Sequence, residues 1–238
     1  MRHANTNSGE ATAIGGQVIY LASGEGTGEL TVNRASYGSS GRGARVAFTI
    51  ADSPFGRILI ASTKTGVCWL GICDSDSRLE AELRTDLSAA EISLADLPTV
   101  QTSRDDNGRA AAKNSGVGDG LTGLARTVVD YISGRTREIA LPIDIRATPF
   151  QIAVWRELCA IPRGTTRSYG EIARRLGRPE ASRAVGHANG SNPLAIIIPC
   201  HRAIGADGSL TGYRWGLEYK RRLLDHESAL VQTSLAFG

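Results

Sequence analysis

An apolar run that stops at a proline and is followed at once by a cysteine and a histidine constrains this chain most. Residues 195–198 read Ala-Ile-Ile-Ile, and Pro199, Cys200 and His201 come next. A β-branched run of this kind indicates a buried core segment, which the proline ends abruptly. Cys200 is therefore the first side chain after the core segment and a candidate nucleophile. A thiol attacks as the thiolate, so we expect His201 or Arg202 to lower its pKa.

The sequence around this pair favours a reactive Cys200. The alternative is an inert, buried cysteine beside a surface histidine. Residues 192–216 read Asn-Pro-Leu-Ala-Ile-Ile-Ile-Pro-Cys-His-Arg-Ala-Ile-Gly-Ala-Asp-Gly-Ser-Leu-Thr-Gly-Tyr-Arg-Trp-Gly. This stretch resembles the active-site signature of the O6-alkylguanine-DNA alkyltransferases, repair proteins that move an alkyl group from guanine onto their own cysteine. Its last five residues are most similar to the carboxy-terminal half of Ada-type proteins. Further matches, in the family's order, lie at residues 45–56, 141–146, 148–151 and 168–173.

The resemblance implies an α+β fold in two domains. Residues 46–147 would form a small antiparallel sheet with a helix, similar to ribonuclease H, with a long loop at 99–120. Residues 148–228 would form an all-helical, DNA-binding and catalytic domain with a winged-helix-like helix-turn-helix. Residues 1–45 are rich in Gly, Ser, Thr and Ala, so we expect a disordered tail, and we expect a short second tail at 229–238.

Local patterns place the elements. Three β-type runs separated by turns lie between residues 45 and 73, and apolar spacing predicts helices at 77–87 and 121–132. Thr148-Pro149 predicts a helix start, and Ser168 with Glu171 three residues later predicts a capping box. Two short helices at 168–177 and 180–190 then form the helix-turn-helix.

Composition and charge restrict the class of protein. The chain has 238 residues, is 41% hydrophobic, and contains no apolar run long enough to span a bilayer. Its start lacks a secretory pattern, so we expect a cytoplasmic location. The four cysteines are too scattered for a disulfide framework or a zinc site, and we expect no metal. Residues 151–238 hold 12 Lys and Arg against 7 Asp and Glu, which favours a phosphate-binding surface or else a solvated arginine-rich face.

The resemblance assigns the catalytic roles. Cys200 is the acceptor, His201 takes its proton through a bound water, and Glu227 orients the imidazole. Asn192 ties a helix to the active-site loop, and Tyr169 lies near the extruded nucleotide. Spacing alone does not separate Glu227 from its neighbour Asp225 as the carboxylate.

The resemblance also assigns contacts to DNA and to the base. Arg183 would fill the gap left by the extruded base, and His187 would stand on the same helix where relatives have a small residue. Trp215 would narrow the guanine pocket and favour methyl over bulky groups. The full set of expected DNA contacts is Arg183, Tyr169, Ala184, Ser182 and Arg202, and the expected pocket residues are Tyr213, Arg214, Trp215, Ile198 and Pro199.

The implied function is direct, single-use transfer of an alkyl group, chiefly methyl, from O6-alkylguanine and also O4-alkylthymine in double-stranded DNA to Cys200. It needs no cofactor, and we expect a monomer that does not bind membranes. Three alternatives remain: a damage-recognition module without transfer, a cysteine hydrolase using Cys200, His201 and Glu227, and a transcriptional activator. The presence of Cys200 speaks against the first alternative. The adjacency of Cys and His speaks against the second, and the absence of an Ada-type zinc domain speaks against the third.

Overall fold

The computed structural model describes residues 17–21, 38–95 and 120–236. One six-stranded sheet runs in the order β1-β6-β4-β3-β2-β5. Its central strands β2, β3 and β4 pair antiparallel, as predicted, while β5 and β6 add parallel to β2 and β4. The strands are β1 (Gln17–Leu21), β2 (Arg45–Ser53), β3 (Gly56–Ser62), β4 (Val67–Cys73), β5 (Glu91–Leu94) and β6 (Ile139–Ile143).

Strand β1 corrects the prediction of a disordered tail over residues 1–45. It pairs antiparallel with β6 over five residues, from Gln17 opposite Ile143 to Leu21 opposite Ile139. The polar residues around β1 gave no indication of a strand in the sequence. In the structure, β1 forms one edge of the sheet. Residues 38–45 are also described and include a 3-10 turn at Ser39–Gly41. The rest of the predicted tail lies outside the described residues.

Two helices accompany the sheet: α1 (Asp76–Asp86) and α2 (Gly120–Ile132). Both were predicted to within one residue at each end. The Ser75 side chain caps α1 by accepting a hydrogen bond from the Arg78 amide, and Leu79 and Leu83 of α1 are buried. The predicted loop at 99–120 lies, apart from Gly120, outside the described residues.

The second half of the described chain is helical, with one short parallel pair, β7 (Arg167–Ser168) and β8 (Ala203–Ile204). Both predicted helix starts carry complete capping boxes: Thr148 with Gln151, and Ser168 with Glu171. Each box satisfies amide groups that a helix start leaves unpaired, so the starts are set locally. The helices are α3 (Pro149–Cys159), α4 (Tyr169–Arg175), α5 (Ser182–Gly190) and α6 (Leu217–Ala236).

Two boundaries differ in detail from the prediction. Helix α4 ends at Arg175, and Gly177 takes the left-handed conformation (φ +69°) that lets the chain turn toward α5. Helix α6 continues to Ala236, so residues 229–236 extend a helix where a tail was predicted.

The sheet directly supports the segment that carries Cys200. The Leu70 amide in β4 donates to the Pro193 carbonyl at 2.8 Å, and the Ala195 amide donates back to the Leu70 carbonyl at 3.1 Å. All seven residues of β4 are buried. The catalytic segment is therefore held against the most buried strand of the first half of the chain.

Candidate active site

Asn192 organises the turn that presents Cys200. Its Nδ2 donates to the Ile198 carbonyl at 2.9 Å and to the Cys200 Sγ at 3.1 Å, while its Oδ1 accepts from the Leu194 amide at 2.9 Å. Asn192 follows the end of α5 by two residues. The predicted link between helix and active-site loop thus consists of bonds from one side chain.

The buried run before Cys200 is not a regular element. Residues 195–198 are buried, as predicted, but they form turns, and Ile196 has a φ of +73°. A β-branched residue in this region is strained and persists only where its surroundings impose it. The bonds from Asn192 and β4 provide that constraint, and Cys200 then begins a 3-10 turn over Cys200–Arg202.

His201 and Glu227 are in contact, as the resemblance implied. The His201 Nε2 lies 3.0 Å from Glu227 Oε1, and both side chains are buried. Asp225, the alternative carboxylate, is exposed on the same helix. The geometry therefore selects Glu227. The His201 Nδ1 is buried and has no hydrogen-bond partner among the described residues.

Arg202 corrects the prediction of a DNA contact. Its side chain is buried and donates to both oxygens of Glu227, at 2.9 and 2.7 Å, and to the Ile161 carbonyl at 2.7 Å. An arginine fully engaged inside the protein cannot reach a phosphate. A buried carboxylate is stable only if its charge is compensated, and Arg202 provides that compensation.

Charge states in this cluster follow from burial and pairing. Burial opposes ionisation of Glu227, but His201 and Arg202 together hold the pKa of that carboxyl well below its usual range. Burial lowers the pKa of His201, and the opposing effect of Glu227 does not reverse it. His201 is therefore a neutral imidazole whose Nε2–H donates to Glu227, which leaves Nδ1 as a proton acceptor.

The Cys200 thiol does not follow the expectation of a lowered pKa. Burial raises its pKa, against the opposing effects of the Asn192 hydrogen bond and the charge of Lys220. The thiol is thus protonated at neutral pH. Activation therefore requires removal of its proton when substrate is bound.

Lys220 is a site residue that sequence reasoning missed. It is fully buried, and its Nζ donates to the carbonyls of Ala203 at 2.6 Å and Thr211 at 2.7 Å. Burial lowers its pKa to about 8, so it remains mostly charged at neutral pH. A signal was present, because Lys220, Leu223 and Glu227 are spaced three and four apart and share one face of α6.

Cys200 lines a cavity of about 660 Å³ between the two halves of the described chain. Tyr169, Tyr213, Arg214 and Trp215 line it, as predicted for the base pocket and the nucleotide contact. Ile198 and Pro199 do not appear among the described residues of its lining and are buried instead. Asn192, a predicted catalytic residue, also lines the cavity. The lining residues that were not predicted are Asp86, Gly186, Asn189, Gly190, Ala195, Thr211 and Gly212.

Tyrosines contribute differently to this cavity. Tyr169, at the start of α4, is half-buried, and burial raises its pKa despite a hydrogen bond with Thr211. The Tyr213 hydroxyl is buried without a partner among the described residues, and burial raises its pKa well above the usual value. Both are therefore neutral hydroxyls that can donate a proton or a hydrogen bond.

Helix α5 presents a solvent-exposed surface next to the cavity. Arg183, Ala184 and His187 are exposed, Ser182 is partly exposed, and Val185 is buried beneath them. Gly186, Asn189 and Gly190 of the same helix line the cavity. One helix thus joins the expected DNA-reading surface to the pocket that contains Cys200.

The other cysteines do not line the cavity. Cys68, Cys73 and Cys159 are buried and free, and burial raises the pKa of both Cys68 and Cys159 to about 12. Across residues 17–21, 38–95 and 120–236, no group of three or more His, Cys, Asp or Glu side chains could hold a metal ion. Within those same ranges, none of the helices combines the length and the apolar character needed to cross a membrane.

Comparisons with known proteins agree with this geometry. Residues 46–145 match the ribonuclease-like domain of 6-O-methylguanine DNA methyltransferase, and residues 149–229 match its DNA-binding domain. A methylated-DNA–protein-cysteine methyltransferase of Shigella flexneri is 40% identical over 171 residues, covering 71% of this chain and 94% of the relative. The crystal structure of Mycobacterium tuberculosis OGT in complex with DNA has a TM-score of 0.56 and 34% identity, covering 77% of this chain and 94% of that one.

Other relatives are longer than this chain. The regulatory protein Ada of Salmonella typhimurium is 37% identical over 199 residues, covering 84% of this chain. The chain spans about half the length of the Ada relatives that it matches. The two domain matches together cover most of the sequence, and the Shigella relative is matched over 94% of its length at 40% identity. The chain therefore belongs to the 6-O-methylguanine DNA methyltransferase family.

Proposed function

We propose that this chain repairs DNA by one irreversible transfer of an alkyl group, chiefly methyl, from O6-alkylguanine to Cys200. O4-alkylthymine in double-stranded DNA is a second substrate, and the chain acts as a monomer without a cofactor. The observation that carries the proposal is the position of Cys200 on the wall of a cavity, with His201 and Glu227 beside it and α5 exposed at its edge. The names of the Shigella and Mycobacterium relatives support the same reaction and DNA as the partner.

The target base must leave the duplex to reach Cys200, because its reactive atom is not accessible within stacked DNA. A cavity of about 660 Å³ accommodates a purine, and Tyr213 and Trp215 supply aromatic walls. Arg183 on the exposed face of α5 would occupy the space that the base leaves. The excess of Lys and Arg over Asp and Glu in residues 151–238 attracts the DNA phosphates.

His201 is the acceptor that we assign to the proton of the thiol. His201 Nδ1 has no partner among the described residues, and Nε2 is held by Glu227, so Nδ1 accepts the proton directly or through a water. Glu227 stabilises the resulting imidazolium. The charge of Lys220 favours the thiolate, as its opposing effect on the pKa of Cys200 indicates.

The transfer step balances as a displacement at carbon. The Sγ–C bond forms as the O6–C bond breaks, and the electron pair of that bond goes to the purine. Tyr169 donates its proton to the leaving base, which departs as neutral guanine, and the proton that His201 took from the thiol restores the Tyr169 hydroxyl, so that one proton passes from thiol to guanine overall. A thioether has no route back to the thiol, so each chain reacts once.

The direct test is to incubate the protein with duplex DNA containing O6-methylguanine and to measure the mass of the Cys200 peptide. We expect a gain of one methylene mass on Cys200, with at most one methyl removed per chain. Continued turnover would instead indicate the hydrolase alternative. Tight binding without any mass gain would indicate the damage-recognition alternative.

Arg183 provides a second test, on DNA contact. Arg183→Ala should slow repair of duplex DNA by about 10–100-fold, because no side chain then fills the gap that the extruded base leaves in the stack. Reaction with free O6-methylguanine should change less than about twofold. The control is Arg45→Ala, which removes the same charge from an exposed position on β2. Equal losses on both substrates would show that Arg183 supports the fold instead.

A further inference from the structure

Arg214, on the loop that walls the cavity, is held by the first half of the chain. Its Nη1 donates to Asp86 Oδ2 and its Nη2 to Glu82 Oε2, each at 2.7 Å. Both carboxylates belong to α1, about 130 residues away in sequence, and Asp86 itself lines the cavity. Two bonds from one planar guanidinium fix its orientation more firmly than a single contact would.

Two tryptophans, Trp69 and Trp215, pack beside the contact between Arg214 and α1. The Asp86 Oδ2 also accepts from the Trp69 Nε1 at 2.8 Å. The rings of Trp69 and Trp215 meet edge to face, with centroids 5.6 Å apart, and Arg214 lies 5.5 Å from the Trp215 ring centroid. Each of these interactions is modest alone, but they share members and therefore fix Trp215 cooperatively.

Gly71 shows how tightly Trp215 is seated. A Cβ at this position would lie 2.4 Å from Trp69 and 2.6 Å from Trp215, so both rings pack onto the bare backbone of β4. Trp215 is 4% exposed although it lines the cavity. Its ring therefore cannot swing toward the sheet to admit a larger substrate.

We infer that Glu82 and Asp86 set the size limit for the alkyl group by fixing Arg214 and, through it, Trp215. These residues are positioning residues: they do not touch the alkyl group, and they act through the wall of the pocket. The first half of the chain thus contributes to specificity although Cys200, His201 and Glu227 all lie in the second. This inference rests on the proposed function and assigns its preference for small alkyl groups to a contact between the two halves.

The test compares two free bases, O6-methylguanine and O6-benzylguanine, so that DNA contacts play no part. In the double variant Glu82→Gln, Asp86→Asn both charges are lost with little change in shape. The ratio of benzyl to methyl transfer rates should rise about tenfold, because a Trp215 that is no longer fixed through Arg214 can move aside for the larger group. Thermal unfolding verifies that the variant is folded.

Two further variants make the result specific. Glu80→Gln removes an exposed ion pair with Arg84 on the same helix and should leave the ratio unchanged. Arg214→Gln breaks the contact from the other side and should raise the ratio equally, with no further rise when combined with the double variant.

An unchanged ratio in both the double variant and Arg214→Gln would overturn the inference, as would equal losses of both rates. If wild-type Cys200 gained no methyl mass from O6-methylguanine in DNA, the proposed function itself would fail, and the inference with it. If methyl transfer were intact and the ratio did not respond, only the inference would fail.

Discussion

Replacing Cys200 with serine is expected to reduce alkyl transfer by at least ~10³-fold, to below detection, because an alcohol does not form a nucleophilic anion in this pocket. Binding to duplex DNA containing O6-methylguanine should remain close to wild type, since the exposed face of α5 is untouched. The measurements are transfer of labelled methyl to protein and a binding titration at fixed salt. Salt must be held constant because phosphate contacts weaken steeply as it rises.

The other cysteines are the matched controls for this prediction. Cys68→Ala and Cys159→Ala remove buried thiols that, unlike Cys200, do not line the cavity, so neither is placed to meet the alkyl group. Transfer by each variant should stay within about twofold of wild type at a temperature where it is folded. Methyl mass on a peptide other than that of Cys200 would contradict the assignment of the acceptor.

Replacing Glu227 with glutamine is expected to lower the free energy of unfolding at pH 7 by about 3–5 kcal/mol, because it leaves the buried charge of Arg202 uncompensated. Chemical denaturation measures this directly. Asp225→Asn, an exposed position two residues earlier on α6, should change stability by no more than about 0.5 kcal/mol.

The stability difference should depend on pH in a defined direction. The pKa of Glu227 is lowered from 4.5 in the folded protein, so its stabilisation is complete above that pH and is lost as pH falls toward the lowered pKa. Glu227→Gln has no such titration. The gap between the two proteins should therefore narrow below about pH 4.5. A gap that stays constant to pH 3 would show that Glu227 does not carry this charge.

Comparing Glu227→Gln with His201→Ala distinguishes the effect of the site on stability from its effect on the transfer rate. Under conditions where it is folded, transfer should slow less than in His201→Ala, which removes the proton acceptor, because glutamine still orients the imidazole. His201→Ala should cost less stability, since the pair of Arg202 and Glu227 remains. A larger kinetic effect from Asp225→Asn than from Glu227→Gln would contradict the geometry of the site.

Local sequence determined the helix starts and the order of the elements. The capping boxes at Thr148 and Ser168 act within four residues, and β-branched runs with intervening turns define the three central strands. Cys200 and His201 could be identified because an apolar run and a proline directly precede them in the chain. Glu227 was named by resemblance, and only its contact with His201 separated it from Asp225.

Tertiary structure decided every feature that depends on contacts distant in sequence. Strand β1 forms because β6 offers an unpaired edge, which a polar surrounding sequence does not reveal. Arg202 resembles a DNA contact in sequence, but folding brings Glu227 and the Ile161 carbonyl to it and buries it. The raised pKa of Cys200 and the linkage of Arg214 to Asp86 have the same origin, because desolvation and pairing depend on which groups the fold brings together.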